Sequence, residues 1–243
     1  MQTLELAGLS LLAVLLAFVI VTRGGHLDWR NASREPVGLA PDPAATPEAV
    51  VQVYAARTWG WRGYFGVHTW IAVKPARAKA YTVYEVIGWR LRWEDSVLAI
   101  HHRIPDERWF GSVPALLADK RGADADALIG RIDQAARAYP YGATYRMWPG
   151  PNSNTFTAWV GRAVPELGMD MPPTAIGKDY LGERLVAPAP SGSGVQFSLF
   201  GLLGVTAGRI EGFELNVLGL TFGLDPFSPA IKLPLFGRLG SIR

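Results

Sequence analysis

The sequence predicts an α+β domain, an antiparallel sheet with helices, held behind a single N-terminal transmembrane helix. A charge-free apolar run opens the chain, runs of aromatic and β-branched residues follow between turn signals, and two stretches carry helical periodicity. The 243 residues leave one ordinary domain after the opening run, enough for a real core.

Leu6–Thr22 holds no charged residue and only two hydroxyls, Ser10 and Thr22. Seventeen residues at about 1.5 Å each reach about 26 Å, the short end of a spanning helix. The preceding Met1–Glu5 stretch has no Lys or Arg, and no Ala-x-Ala follows, so the run reads as an uncleaved anchor over residues 1–23. Arg23, Arg30 and Arg34 follow it, which by the positive-inside rule points the domain to the cytoplasm. Residues 24–46 are expected to be a linker, with the Pro/Ala-rich stretch 35–47 as an extended spacer.

Thr46-Pro47-Glu48 has the form of a helix start, and Val50, Val53, Tyr54 and Arg57 follow at helical spacing, so a helix is expected up to Gly60. Residues 64–73 and 80–89 then read as two strands joined by a loop over 74–79. A loop centred near residue 77 sets His68 opposite Glu85 or Val86. A third strand is expected over 96–102, and His101 and His102, adjacent on it, point to opposite faces.

Leu128, Ile129, Ile132, Ala135 and Ala136 mark a helix over 124–138 with one apolar face. Trp148–Asn154 forms a tight turn, and a short apolar helix over 155–164 follows, capped by Asn152 or Ser153. After the flexible Ser191–Gly194 joint, runs 195–206 and 213–224 read as a β-hairpin extension over residues 191–243. Such a hairpin covers the core or rests on the membrane, and packing on the core is the reading adopted.

Several chemistries are excluded or unsupported. With no cysteine there is no disulfide, thiolate nucleophile or cysteine metal site. A net charge of +3 from scattered basic residues gives no nucleic-acid signature. The four histidines have no neighbours at zinc spacing, and no Walker, dinucleotide or Gly-x-Ser-x-Gly pattern occurs, so no metal or cofactor is expected.

What remains is His68 within Val67-His68-Thr69-Trp70, Tyr84-Glu85-Val86, and the stretch Trp148-Pro149-Gly150-Pro151-Asn152-Ser153-Asn154-Thr155-Phe156. With these motifs the chain, from about residue 30 to 185, resembles an uncharacterised bacterial family of membrane-anchored proteins. More distantly it resembles circularly permuted NlpC-type papain-like proteins, including relatives of lecithin–retinol acyltransferase. Those place a histidine on an early strand and a nucleophilic cysteine later, in an Asn-Cys-x-x-Phe pattern that opens a helix. His68 and Asn152–Phe156 match that order, but Ser153 stands where the cysteine would be.

The resemblance implies a permuted papain-like domain over 47–190, with Ser153 as nucleophile, His68 as base and Glu85 as orienter. A serine hydroxyl is far less acidic than a thiol, so it needs the imidazole as a true general base and an oxyanion hole. Asn152, Asn154, Trp70 and Trp148 are the expected substrate-binding residues. The implied activity is amide or ester hydrolysis, or acyl transfer, on a cell-envelope substrate such as peptidoglycan or lipid. A non-catalytic envelope-binding module or scaffold on the same fold is the alternative. The likeness to envelope-acting hydrolases turns the domain outward, and a single-pass protein of the bacterial inner membrane with a periplasmic domain is the reading adopted.

Overall fold

A computed structural model describes residues 29–241. The expected anchor lies outside the described residues. Among the described residues no helix is long and apolar enough to cross a membrane.

The fold is α+β, built from two antiparallel sheets and two α-helices. The first sheet holds β1 (Val50–Arg57), β2 (Val67–Lys74), β3 (Thr82–Val86), β4 (Leu98–His102) and β5 (Ala115–Arg121), in the order β4-β3-β2-β1-β5. Helices α1 (Gly122–Arg137) and α2 (Ser153–Ala163) pack on one face. There Val51, Val53, Ile71 and Val73 meet Ile132, Phe156 and Val160 in the main core. On the opposite face Val50, Tyr54, Trp70, Ala72 and Val83 form a second cluster, joined by Trp109. Both faces of β1 and β2 are therefore buried, which their near-continuous apolar sequence reflects.

The helix expected after Thr46 is strand β1. Its apolar run is too unbroken to fix a period, and helical spacing within it arises by chance. Period two governs: Val50 and Tyr54 face one side, Val51 and Val53 the other. Thr46 and Glu48 do not open a helix, because the buried Lys74 ammonium donates to both of their carbonyls, at 2.8 and 2.6 Å.

The expected spacer is also docked. Leu39 N–H donates to Asp106 at 2.6 Å, the Tyr81 hydroxyl donates to Pro41 O at 3.0 Å, and Pro36 bridges Glu107. Strand β5 follows a stretch of weak pattern and went unpredicted. Helix α1 carries the expected face, with Leu128, Ile132 and Ala136 buried.

The C-terminal region is larger than a hairpin. It is a seven-stranded meander: β6 (Val186–Pro188), β7 (Gly194–Leu199), β8 (Leu203–Gly208), β9 (Gly212–Val217), β10 (Leu220–Asp225), β11 (Ala230–Leu233) and β12 (Gly237–Gly240). The expectation that its apolar side packs on the core is overturned. Gln196, Ser198, Thr206, Glu214, Asn216 and Lys232 are buried, while Val205, Phe213 and Leu224 are 53, 59 and 60% exposed.

Charges from the first domain draw the polar side inward. The buried Lys178 ammonium pairs with Glu214, which also takes Lys232 at 2.9 Å. Lys232 in turn meets Asp170 at 2.5 Å, and Arg238 bridges Asp170 and Asp225 at 3.0 and 2.8 Å. Inward-pointing charges that find partners hold the sheet polar side in.

Candidate functional site

The site begins at the first residues of β2. Thr69 faces α2, its hydroxyl within hydrogen-bond distance of Ser153 O at 3.2 Å, Asn154 Oδ1 at 3.1 Å and the Thr157 hydroxyl at 2.9 Å. Strand alternation turns the neighbouring His68 and Trp70 to the other face. There the His68 ring stacks on Trp109, centroids 3.8 Å apart, and also on Trp70, 5.6 Å away.

Glu85 sits on that same face, almost wholly buried. Its register partner is Trp70, two residues along β2 from His68, so Glu85 reaches His68 diagonally. One carboxylate oxygen takes His68 Nε2 at 2.8 Å; the other takes His101 Nε2 at 2.7 Å and Arg103 Nε at 3.3 Å. Burial alone would raise the Glu85 pKa, but hydrogen bonds from His101 and His68 and the Arg103 charge hold it far below the usual carboxylate range. Burial lowers the His68 pKa beneath its ordinary value, against the pull of Glu85. A neutral His68 then donates its Nε2–H to Glu85 and keeps Nδ1 as an acceptor.

Helix α2 opens at Ser153. Asn152 caps it, its Oδ1 accepting from the N–H groups of Asn154 and Thr155 at 2.9 and 3.2 Å, while the Thr155 hydroxyl accepts from Asn152 N–H at 3.1 Å. This reciprocal capping box explains why the helix starts two residues before the expected Thr155. Asn152 Nδ2 also donates to Met147 O and Ile176 O, at 3.1 and 3.0 Å. Asn154 Nδ2 donates to Val67 O and Ile176 O, at 3.0 and 2.8 Å. Both amides line the cavity described next, yet their hydrogen bonds are spent holding the α2 start against β2 and the 176 loop.

A cavity of about 1110 Å³ opens over this junction, with His68, Asn152, Ser153 and Asn154 in its lining. Its wall holds every tryptophan of the chain except Trp70 and Trp159, that is, seven of nine. Trp89 stacks on Trp109 at 5.9 Å and Phe110 meets Trp109 edge-on at 5.1 Å, so part of the wall is one aromatic assembly. Trp61 and Trp148 are 61 and 51% exposed at the opening. Trp148 is fixed by its Nε1–H, which donates to Leu218 O at 2.8 Å. Leu218 and Leu220 of the meander close the same wall.

Of the expected site residues, Asn152, Asn154 and Trp148 line the cavity, and the other four fall into three groups. His68 and Glu85 are hydrogen-bonded as anticipated. Ser153 shares the cavity with His68, but among the described residues no hydrogen bond joins their side chains, because β2 alternation turns His68 away from α2. Trp70 has no solvent-exposed surface, stacks on Tyr54 at 5.4 Å and donates to Pro105 O at 2.8 Å, so it supports the site from beneath rather than lining the cavity. Sequence reasoning missed His101 and Arg103 as Glu85 partners, and Trp109 as the plate against His68. Trp109 and Arg103 lie in or next to irregular chain, where no period signals direction.

Residues 48–180 match the family described as Protein of unknown function (DUF3750). The chain belongs to that family. The matched segment spans the five-stranded sheet, both helices and the junction of His68, Glu85 and Asn152–Asn154, and ends before the seven-stranded meander. No curated protein and no solved structure matches the chain.

Proposed function

We propose that this DUF3750 member is a membrane-associated binding domain that takes an apolar, acyl-bearing molecule of the cell envelope into its tryptophan-walled cavity. The observation that carries this reading is the cavity itself: about 1110 Å³, aromatic around much of its wall, with His68 and Asn152–Asn154 at the β2–α2 junction and Arg62 and Arg92 elsewhere in the lining. Ligand pockets have this character, an apolar lining with a small number of placed polar groups that orient one end of the ligand. Tryptophan offers broad apolar contact at little entropic cost. A lipid tail would lie among Trp61, Trp89 and Trp148, with its polar end toward His68 and Ser153.

The test is titration of the full chain with a fluorescent fatty-acyl lipid, read by energy transfer from tryptophan. Saturable binding is expected, weakened at least several-fold in Trp61→Ala and Trp148→Ala. Binding that does not saturate, or that ignores both substitutions, would remove this reading.

A second reading is supported by one specific feature: Ser153 begins a helix, lines the same cavity as His68, and follows the order of the permuted papain-like proteins. In that case Ser153 attacks an ester or amide while His68 takes its proton and passes it to the departing alcohol or amine, and the Ser153 N–H, which the Asn152 cap does not use, donates to the oxyanion. The Ser153 and His68 side chains must approach one another for this step. Labelling by a serine-reactive fluorophosphonate, lost in both Ser153→Ala and His68→Ala, supports the enzyme; an unlabelled protein supports the binding module alone.

A further inference from the structure

The seven-stranded meander is polar on its buried side and apolar on its exposed side. The outward positions of its central strands are Val195 and Phe197, Leu203 and Val205, Phe213 and Leu215, and Phe222 and Leu224, with Ile231 and Leu239 beyond them. No outward position among these carries a charge or a hydrogen-bonding side chain. Each inward neighbour along β7, β8 and β9, by contrast, is polar or glycine: Gln196 and Ser198, Gly204 and Thr206, Glu214 and Asn216.

The apolar character continues past the strands. Turns at one end of a meander alternate in sequence, so those after β7, β9 and β11 share an end. They present Phe200, Leu218 and Phe236, exposed by 57, 61 and 64%. Phe200 and Leu218 have φ of +53° and +54°, a left-handed conformation that glycine or asparagine adopts at lower cost. Bulky apolar residues held there point to a use for the side chain rather than for the turn.

We propose that this face and this row of turns lie on a lipid bilayer. The width of the sheet argues against the chain covering it with its own first residues. Seven strands at about 4.8 Å spacing and about 20 Å long present roughly 600 Å². One helix of the Leu6–Thr22 run, about 26 Å by about 10 Å, would cover less than half. Chain length supports the bilayer. Only six residues separate Thr22 from Trp29, at most about 20 Å of chain, and Trp29 shares the cavity wall with Leu218 and Leu220 of this sheet. A membrane holding the apolar run is therefore within reach of the face. An exposed apolar area of this size is itself the mark of a contact surface.

The absence of cysteine makes the test direct. Val205 and Leu215 are cross-strand partners, both outward, and Ala127 is exposed on α1. Val205→Cys, Leu215→Cys and Ala127→Cys in the full chain are each labelled with an environment-sensitive fluorophore and reconstituted into phosphatidylcholine vesicles with and without brominated lipid. The expected result is a blue shift and loss of emission with brominated lipid at 205 and 215, and neither change at 127. Quenching of the 205 and 215 labels by aqueous iodide but not by brominated lipid would show a face in water and overturn the proposal. Protection from both quenchers would mean that a second copy or residues 1–28 cover the face, and would overturn it equally. Quenching by brominated lipid at all three positions would show general embedding rather than docking by this face, and would also reject it.

Discussion

His68 and Glu85 are joined by a 2.8 Å hydrogen bond on the face of the first sheet turned away from helix α2. The carboxylate is the hub, since His101 and Arg103 reach its second oxygen. The pair is thus a fixed, buried unit at the margin of the cavity, and its protonation is tied to folding.

Acid should therefore unfold the protein in two phases. The folded pKa of His68 lies below its ordinary 6.5, so protons bind the unfolded chain more readily. Its contribution is complete above pH 6.5 and is lost as pH falls through the folded value. Glu85, ordinarily near 4.5, is also held low, so its contribution is complete above pH 4.5 and is lost as pH falls further. Both act in one direction. Thermal melts from pH 8 down should fall first below about 6.5, a phase absent in His68→Gln, and again below about 4.5. A stability that rises on acidification would contradict this assignment.

Removing the hub should cost more than removing one spoke. Glu85→Gln removes the shared carboxylate acceptor of His68, His101 and the half-buried Arg103, leaving Arg103 only Glu107 at 3.6 Å as an ion-pair partner, and should destabilise by about 2–3 kcal/mol. His101, 41% exposed at its side chain, is solvated, and His101→Gln should cost less than about 1 kcal/mol. Urea denaturation of both variants gives the comparison.

Asn152 organises the other half of the junction. Asn152→Ala removes a capping box and frees the carbonyl of Met147, while Ile176 O keeps Asn154 as its donor, a loss of about 2–3 kcal/mol. Gly177→Ala should be damaging for a linked reason: φ is +97° there, and an added Cβ would fall 2.4 Å from Asn152 Nδ2. Chemical denaturation should place both below wild type. An Asn152→Ala protein of unchanged stability would mean that the cap is not used.

The inverted sheet depends on Glu214, whose pKa is held low by Lys178 and Lys232 against the upward push of burial. Glu214→Ala takes the buried Lys178 ammonium's ion-pair partner, leaves Lys232 paired with Asp170 alone among the described residues, and should cost about 3–5 kcal/mol. Replacing outward Leu215 by Ser should cost little by comparison, since its side chain is 46% exposed and its cross-strand partners Val205 and Phe222 are themselves outward. Equal losses for the two would deny the inversion.

The sequence made some of this legible. Strands β2 and β3 are legible from their aromatic and β-branched residues, and α1 from apolar residues that recur at helical period. The β1 run did not resolve because, buried on both faces, it has no polar side to mark a period. In the meander, period two announced the strands and sorted their side chains into two faces, but it could not say which face is inward. Lys178, Asp170 and Arg162 decide that from outside the strands, and only folding brings them to the sheet. Likewise His68 and Ser153 were both singled out, yet their relative direction rests on Thr69, whose contacts with α2 fix the alternation of β2.

The central claim, that the cavity holds an acyl-bearing ligand, is tested most directly by photolabelling the full chain in vesicles with a diazirine-bearing fatty-acyl lipid and mapping the modified peptides. The account expects labelling within residues 58–65, 86–93 and 145–154 that an excess of unlabelled lipid competes away and that Trp148→Ala weakens. Labelling confined to the outward residues of the meander, with those three segments unmodified, would contradict it.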